Sequence, residues 1–338
     1  MKFQLPNQIK KTNNWPIKTT LANLFIYFSA MTKLLVGGGY VDGYMETDNN
    51  EIIDLESASP TTCQNLPNLP VALRGSFGGL GFESKPMICG GRDASEESSN
   101  KCYSLEGNKW APSTGMNTAR RHAAVSPSPY PSKVQKFFVT GGIDSETGVN
   151  TVEVLTEQGW ETLPRPLPVT IFGHCSVLVN STTVMLIGGF QNNDESSDTY
   201  YFNTENEEWT EGPQLMNKRT FHSCGRIRRN SQSQELSIIV AGGYYGSYLS
   251  SVEILDLGSD KWEKGPELPY GIDSFQMVED PKGGVFLVGG SSGKNSYTDD
   301  LFQLQHGDAD WIKMKQKLKI GRKWHVAFLV PEKFVECS

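Results

Sequence analysis

Phe138-Val139-Thr140-Gly141-Gly142 is a short apolar run closed by a glycine pair, and it has five counterparts. These are Leu34-Leu35-Val36-Gly37-Gly38, Met87-Ile88-Cys89-Gly90-Gly91, Leu186-Ile187-Gly188-Gly189, Val240-Ala241-Gly242-Gly243 and Leu287-Val288-Gly289-Gly290. In chain order their first glycines are 53, 51, 47, 54 and 47 residues apart. The length of 338 residues alone suggests two or three domains. A unit recurring at nearly constant spacing overrules that, because similar units stack on one another into one body.

Working outward from the glycines, each unit reads as four strands. The apolar run is the second. A polar loop follows, then an alternating segment such as Thr151-Val152-Glu153-Val154-Leu155 or Ser251-Val252-Glu253-Ile254-Leu255. Period-two alternation between turn signals is a half-buried strand. A turn then leads to a tryptophan: Trp110, Trp160, Trp209, Trp262 and Trp311 lie 19, 18, 20, 19 and 21 residues after their second glycines. One aromatic per unit at near-constant offset fills the gap between stacked sheets. After it come a proline-containing link, such as Gly265-Pro266-Glu267-Leu268-Pro269, and the first strand of the next unit.

The two ends complement each other. The run ending in the first glycine pair has almost no room for a first strand of its unit before it, whereas Arg322-Lys323-Trp324-His325-Val326-Ala327-Phe328-Leu329-Val330 follows the last tryptophan with no glycine pair after it. The spare strand at 322–330 is expected to complete the first sheet and close a ring, removing exposed sheet edges.

The glycine pairs, the spaced tryptophans, Arg219-Thr220-Phe221-His222 and Arg322-Lys323-Trp324-His325 resemble the kelch-repeat family over residues 33–330. The resemblance implies an all-β fold, a six-bladed β-propeller whose first blade is completed by the C-terminal strand. Residues 31–338 are then one propeller. Cys63 departs from the pattern by standing where later repeats carry tryptophan.

Residues 1–30 read differently. They hold Lys2, Lys10, Lys11 and Lys18 and no acid, then the apolar run Leu21–Ala30. A basic segment, a short apolar stretch and a small-residue exit describe a secretory signal. A disordered leader, or a true start at Met31, are the other readings. Six cysteines fit an oxidising compartment in number but form no CxxC or zinc-like spacing. Cys63, Cys89, Cys102 and Cys337 are the disulfide candidates, with Cys89 and Cys102 facing each other across adjacent strands. Cys175 and Cys224 are expected as free buried thiols. Asn180-Ser181-Thr182 is a glycosylation sequon in a turn.

The net charge of -7 argues against nucleic acid as a partner. No run of 18 apolar residues suggests a membrane span. His122, His174, His222 and His325 take equivalent places in separate units, too far apart to share one ion with bonds of about 2 Å. They are expected to be structural, and no metal, cofactor or catalytic set is assigned. The loops after the glycine pairs are acidic, and the links are basic. Both loop sets of a kelch propeller emerge on one face, so the resemblance implies a basic centre within an acidic rim. The expected ligand-binding residues there are Arg74, Arg121, Arg219, Arg322, Tyr244, Tyr245 and Trp324. The function read from this is a non-enzymatic, exported interaction module for a protein or glycan partner. Its alternatives are a propeller enzyme acting on a sugar at the central channel and a cytosolic adaptor.

Overall fold

The computed structural model describes residues 32–335 apart from 44, 58–65, 128–136, 146, 231–234 and 294–295. The leader expected at 1–30, Cys63 and Cys337 lie outside the described residues. Five four-stranded antiparallel sheets and one three-stranded sheet are the main sheets of the described chain, and a second, small three-stranded sheet and four two-stranded hairpins lie beyond their glycine pairs. Sheet I consists of Val326–Val330, Lys33–Gly37 and Asn50–Asp54. Sheet II is Arg74–Leu80, Pro86–Arg92, Cys102–Glu106 and Lys109–Ser113. Sheet III is Ala124–Pro127, Phe137–Thr140, Val152–Thr156 and Gly159–Thr162. Sheet IV is Cys175–Asn180, Thr183–Ile187, Thr199–Asn203 and Trp209–Glu211. Sheet V is Ser223–Ile227, Ser237–Ala241, Val252–Asp256 and Glu263–Lys264, and sheet VI is Gln276–Glu279, Val285–Val288, Asp300–Leu304 and Ile312–Lys317.

The C-terminal strand lies beside the N-terminal one, with Lys33 opposite Val330 and Gly37 opposite Val326. Alternation along each strand feeds two cores. Leu35 packs with Ile88, Tyr103 and Trp110 of sheet II, while Leu34 and Val36 pack with Phe286, Val288 and Leu301 of sheet VI. Every core cluster is shared by two successive sheets in this way, and the apolar faces leave no sheet stable alone. The all-β arrangement is that of a β-propeller.

The tryptophans staple sheets as their spacing implies. Trp160, Trp262 and Trp311 are buried and donate their indole N–H to the carbonyls of Thr114, Pro213 and Pro266, at 3.0, 2.8 and 2.9 Å. Each acceptor lies in the link that follows the preceding unit's outer strand. An apolar body with one satisfied donor is what a buried tryptophan needs.

Three expectations change. The functional glycine pair of sheet I is Gly38-Gly39, with φ of 61° and 105°, not Gly37-Gly38. Gly37 is an extended strand residue paired with Asn50. The run of three glycines hid the register. Cys175 and Cys224 are not free thiols but a disulfide joining the inner strands of sheets IV and V. Cys175 stands opposite Ile187 in its sheet and Cys224 opposite Val240 in the next, so the bridge joins positions offset by one residue on neighbouring inner strands. Cys89 and Cys102 are bonded as expected, directly opposite in the register of sheet II. Finally, His122 is not equivalent to the other three histidines but sits one position earlier, as the next section shows.

The candidate site at the channel mouth

Where each link turns into an inner strand, one residue adopts positive φ. These six are Gly75, His122, Gly173, Phe221, Ser274 and Trp324, with φ between 51° and 64°. Their backbones bond to one another in a cycle. His122 N–H donates to Gly75 C=O at 2.8 Å, Gly173 to His122 at 3.0 Å, and Phe221 to Gly173 at 2.7 Å. Ser274 donates to Phe221 at 2.8 Å, Trp324 to Ser274 at 3.0 Å, and Gly75 to Trp324 at 2.9 Å. The left-handed conformation is uncommon for non-glycine residues, and for bulky ones it must be held by its surroundings. The cycle and the sheets on either side hold it.

Large and small residues alternate round this cycle. His122, Phe221 and Trp324 meet across the cycle. His122 lies 5.2 Å from each of the other two ring centroids, and Phe221 lies 6.1 Å from Trp324. Glycine or serine stands between each pair. On the inner-strand side of the cycle is a cavity of about 320 Å³. Ser76, His174, Ser176, His222, Arg226, Glu279 and the Cys175–Cys224 bridge line it.

One residue earlier runs the rim: Arg74, Arg121, Phe172, Thr220, Asp273 and Lys323. Each pairs by backbone with the residue just after its own sheet's glycine pair, namely Arg92, Ile143, Phe190, Tyr244, Ser291 and Tyr40. Three consecutive rim positions are cationic. Arg74 stacks on Tyr40 with 4.5 Å to the centroid and pairs with Glu46 at 3.0 Å. Lys323 lies over Trp324 at 4.1 Å and over Tyr297 at 4.9 Å. Arg121 donates to Ser98 Oγ at 2.7 Å and to the Ser145 carbonyl.

The electrostatics follow from crowding. Burial, then Arg92 and Arg74, hold the Arg121 pKa below its ordinary value. Burial, then Arg121, Arg74, Arg92 and Lys323, depress His122 to about 3, so its imidazole is neutral at physiological pH. Asp273 is the exception on the rim. Burial raises its pKa to about 6 against the pull of Lys323 and Ser274. The mouth is therefore a positive arc over sheets I to III, above an aromatic floor.

The expected ligand residues separate in this geometry. Arg74, Arg121 and Trp324 converge at the mouth. Tyr244 and Tyr245 lie on the hairpin after the glycine pair of sheet V, Tyr245 being exposed and Tyr244 edge-on to Tyr248 at 5.6 Å. Arg219 and Arg322 are elsewhere, with no exposed surface. Each guanidinium bonds the carbonyl of the first glycine of its sheet and a buried glutamate: Gly242 and Glu253 for Arg219, Gly38 and Glu51 for Arg322. They anchor links and present no donors to a ligand. Arg120 does the same with Gly141 and Glu153.

Lys323, His122, Phe221 and Asp273 are mouth residues outside the ligand set expected from sequence, His122 being expected there as a structural histidine. Their shared signal is position: they occupy the two places just before each inner strand.

His174, His222 and His325 are buried one residue further along, against glycines of the preceding sheet. A Cβ on Gly141 would come 2.8 Å from His174 Cε1, and one on Gly188 2.7 Å from His222 Cε1. Burial depresses all three pKa values, to about 3 for His174 and His325. Among the described residues no cluster of three His, Cys, Asp or Glu side chains could hold a metal, and no helix is long and apolar enough to cross a membrane.

Comparison with known proteins gives a family match over residues 134–336, to the model described as the KLHDC2/KLHL20/DRC7 Kelch-repeats domain. Kelch-like protein 34 of Homo sapiens is 25% identical over 170 residues, 46% of this chain and 25% of the relative. Kelch-like protein 40a of Danio rerio is 30% identical over 129 residues, 35% of this chain and 20% of the relative. Kelch-like protein 23 of Pongo abelii is 27% identical over 257 residues, 71% of this chain and 41% of the relative. The chain thus spans between a fifth and about two fifths of the length of these relatives.

Proposed function

The chain belongs to the kelch-repeat family, and from that membership we propose that it is a non-enzymatic interaction module that binds an acidic segment of a protein partner at the channel mouth. The observation that carries this reading is the arc of Lys323, Arg74 and Arg121 set over Trp324 and Tyr40. Stacked cations beside a half-buried aromatic floor attract carboxylates and steer their approach. Tyr244, Tyr245 and Tyr248 extend the surface as apolar anchors.

The scaffold reading that goes with it is a single six-bladed propeller over residues 31–338, closed by pairing of 322–330 with the first blade. The strand pairing of Lys33–Gly37 with Val326–Val330 and the six-bond backbone cycle support it. Export is the companion reading, supported by the two disulfides. Asn180 is exposed in its turn and accepts from Thr182 N–H at 2.9 Å, a geometry open to glycosylation.

The test is binding of glutamate-rich, fluorescein-labelled peptides to the purified chain and to Arg74→Glu/Arg121→Glu. Saturable binding lost in the variant, with thermal unfolding kept, is the expected result. Equal binding by both proteins, or turnover of a sugar, would overturn the reading. Intact mass with and without reduction and glycosidase decides the compartment. A chain free of mass shifts retires the exported reading in favour of a cytosolic adaptor.

A further inference from the structure

The rim is polar in one direction. Its three cations occupy sheets I, II and III, neutral Phe172 and Thr220 occupy IV and V, and Asp273 alone is an acid, on sheet VI. The next rim position round from it is Lys323, whose charge is felt at the Asp273 carboxyl. Yet Asp273 Oδ1 is buried without a hydrogen-bond partner, and so is the indole N–H of Trp324 beside Lys323. A buried acceptor left unmade costs free energy that a ligand can recover.

We propose, building on the acidic-segment reading above, that Asp273 is the specificity pole of the mouth. It accepts a hydrogen bond from a serine or threonine hydroxyl of the bound segment while the Lys323–Arg74–Arg121 arc takes its carboxylates. The arc by itself would take an acidic segment in either orientation. An acceptor at one end fixes the direction of the chain, because a carboxylate placed there meets repulsion instead. A hydroxyl suits the position better than an ammonium, because Lys323 already stands against Asp273. The groups facing Asp273 are Lys323, Ser274 and the backbone of Ser291, while His122 across the cycle is neutral.

A library of labelled glutamate-rich hexapeptides, with each position varied in turn through alanine, serine, threonine, lysine and glutamate, tests this by fluorescence anisotropy. The expected result is a preference of about tenfold for serine or threonine at one position. Asp273→Ala should erase that preference, while affinity for the alanine peptides does not fall, since a repelling carboxylate is removed from beside Lys323. Asp273→Asn keeps an acceptor oxygen and should retain it. Thermal unfolding of both variants checks the fold. Binding without a hydroxyl preference, or a preference that survives Asp273→Ala, overturns the role of Asp273 and leaves the mouth reading standing. Binding of no library member by the unaltered chain overturns both.

Discussion

Arg219 and Glu253 are 2.6 Å apart with neither side chain exposed, and sheet IV fills the same two positions with Ile171 and Tyr200. The exchange is regular. Arg120 with Glu153 and Arg322 with Glu51 repeat the ion pair in sheets III and I. Leu73 with Tyr103 and Ile272 with Phe302 repeat the apolar pair in sheets II and VI. Both solutions fasten the link over its sheet, one by charge and hydrogen bonds and the other by packing.

Breaking one solution halfway should therefore cost more than exchanging it. Arg219→Ile leaves Glu253 buried without its cation, and a loss of about 3–5 kcal/mol is expected in denaturant unfolding. The double variant Arg219→Ile/Glu253→Tyr should recover most of it. Recovery is incomplete because Met216 and Asn217 N–H groups, which donate to Glu253, lose their acceptor.

Gly188→Ala tests the approach of a link to its neighbour. The residue has φ of 57°, and a Cβ there would lie 2.7 Å from His222 Cε1 and 2.9 Å from the Arg219 carbonyl. The backbone cannot yield, since Gly189 N–H bonds the same carbonyl at 2.8 Å. A loss of at least about 2 kcal/mol is expected in thermal and denaturant unfolding. The exposed Gly246→Ala serves as control, because no atom stands within 4 Å of its Cβ position.

Acid should weaken the fold through His174, His222 and His325. Their folded pKa values lie below 6.5, so the folded state binds fewer protons than the unfolded one. The stability they contribute is full above pH 6.5 and is lost as pH falls toward 3. At pH 5 the loss is about 2 kcal/mol for each of His174 and His325, and His222 adds to it in the same direction. Denaturant midpoints taken between pH 7.5 and 5 check this, and a flat profile would contradict it.

Asp273 has the opposite sign. Its folded pKa of about 6 lies above the ordinary 3.8, so its contribution is full below pH 3.8 and is lost as pH rises through 6. Asp273→Asn should therefore stabilise the protein at pH 8 by up to about 3 kcal/mol and leave it unchanged at pH 3.5. Paired unfolding curves at the two pH values measure the difference.

The two disulfides should differ in weight. Cys175–Cys224 spans 49 residues and Cys89–Cys102 spans 13. Loop-closure entropy assigns about 4 kcal/mol to the first and about 3 kcal/mol to the second. Double alanine variants of each pair, compared by denaturant midpoint, should rank in that order.

The repeat was legible because a glycine pair and a tryptophan solve the same backbone and packing problem in every unit. Gly38-Gly39 was not, since three glycines in a row offer two pairings and only φ distinguishes them. Arg74 and Arg121 could be placed on the face, but Arg219 and Arg322 could not be told from them. A one-residue difference in register sends an arginine either to the rim or into a buried pair, and sequence spacing varies by more than that. The same slip joined His122 to His174 and His222. Cys175 and Cys224 could not be matched because their proximity arises between sheets, where spacing along the chain carries no information.

Alternation at the link has an arithmetical side. Two kinds of sheet placed in turn around a circle meet without a mismatch only if their number is even. Five or seven would set two sheets of one kind side by side, either two arginine links with bulky floor residues such as Phe221 and Trp324 or two apolar links with small ones. In the closed six-sheet ring proposed above, gain or loss of sheets would accordingly be tolerated in twos, one of each kind, and a change by a single sheet would leave a seam.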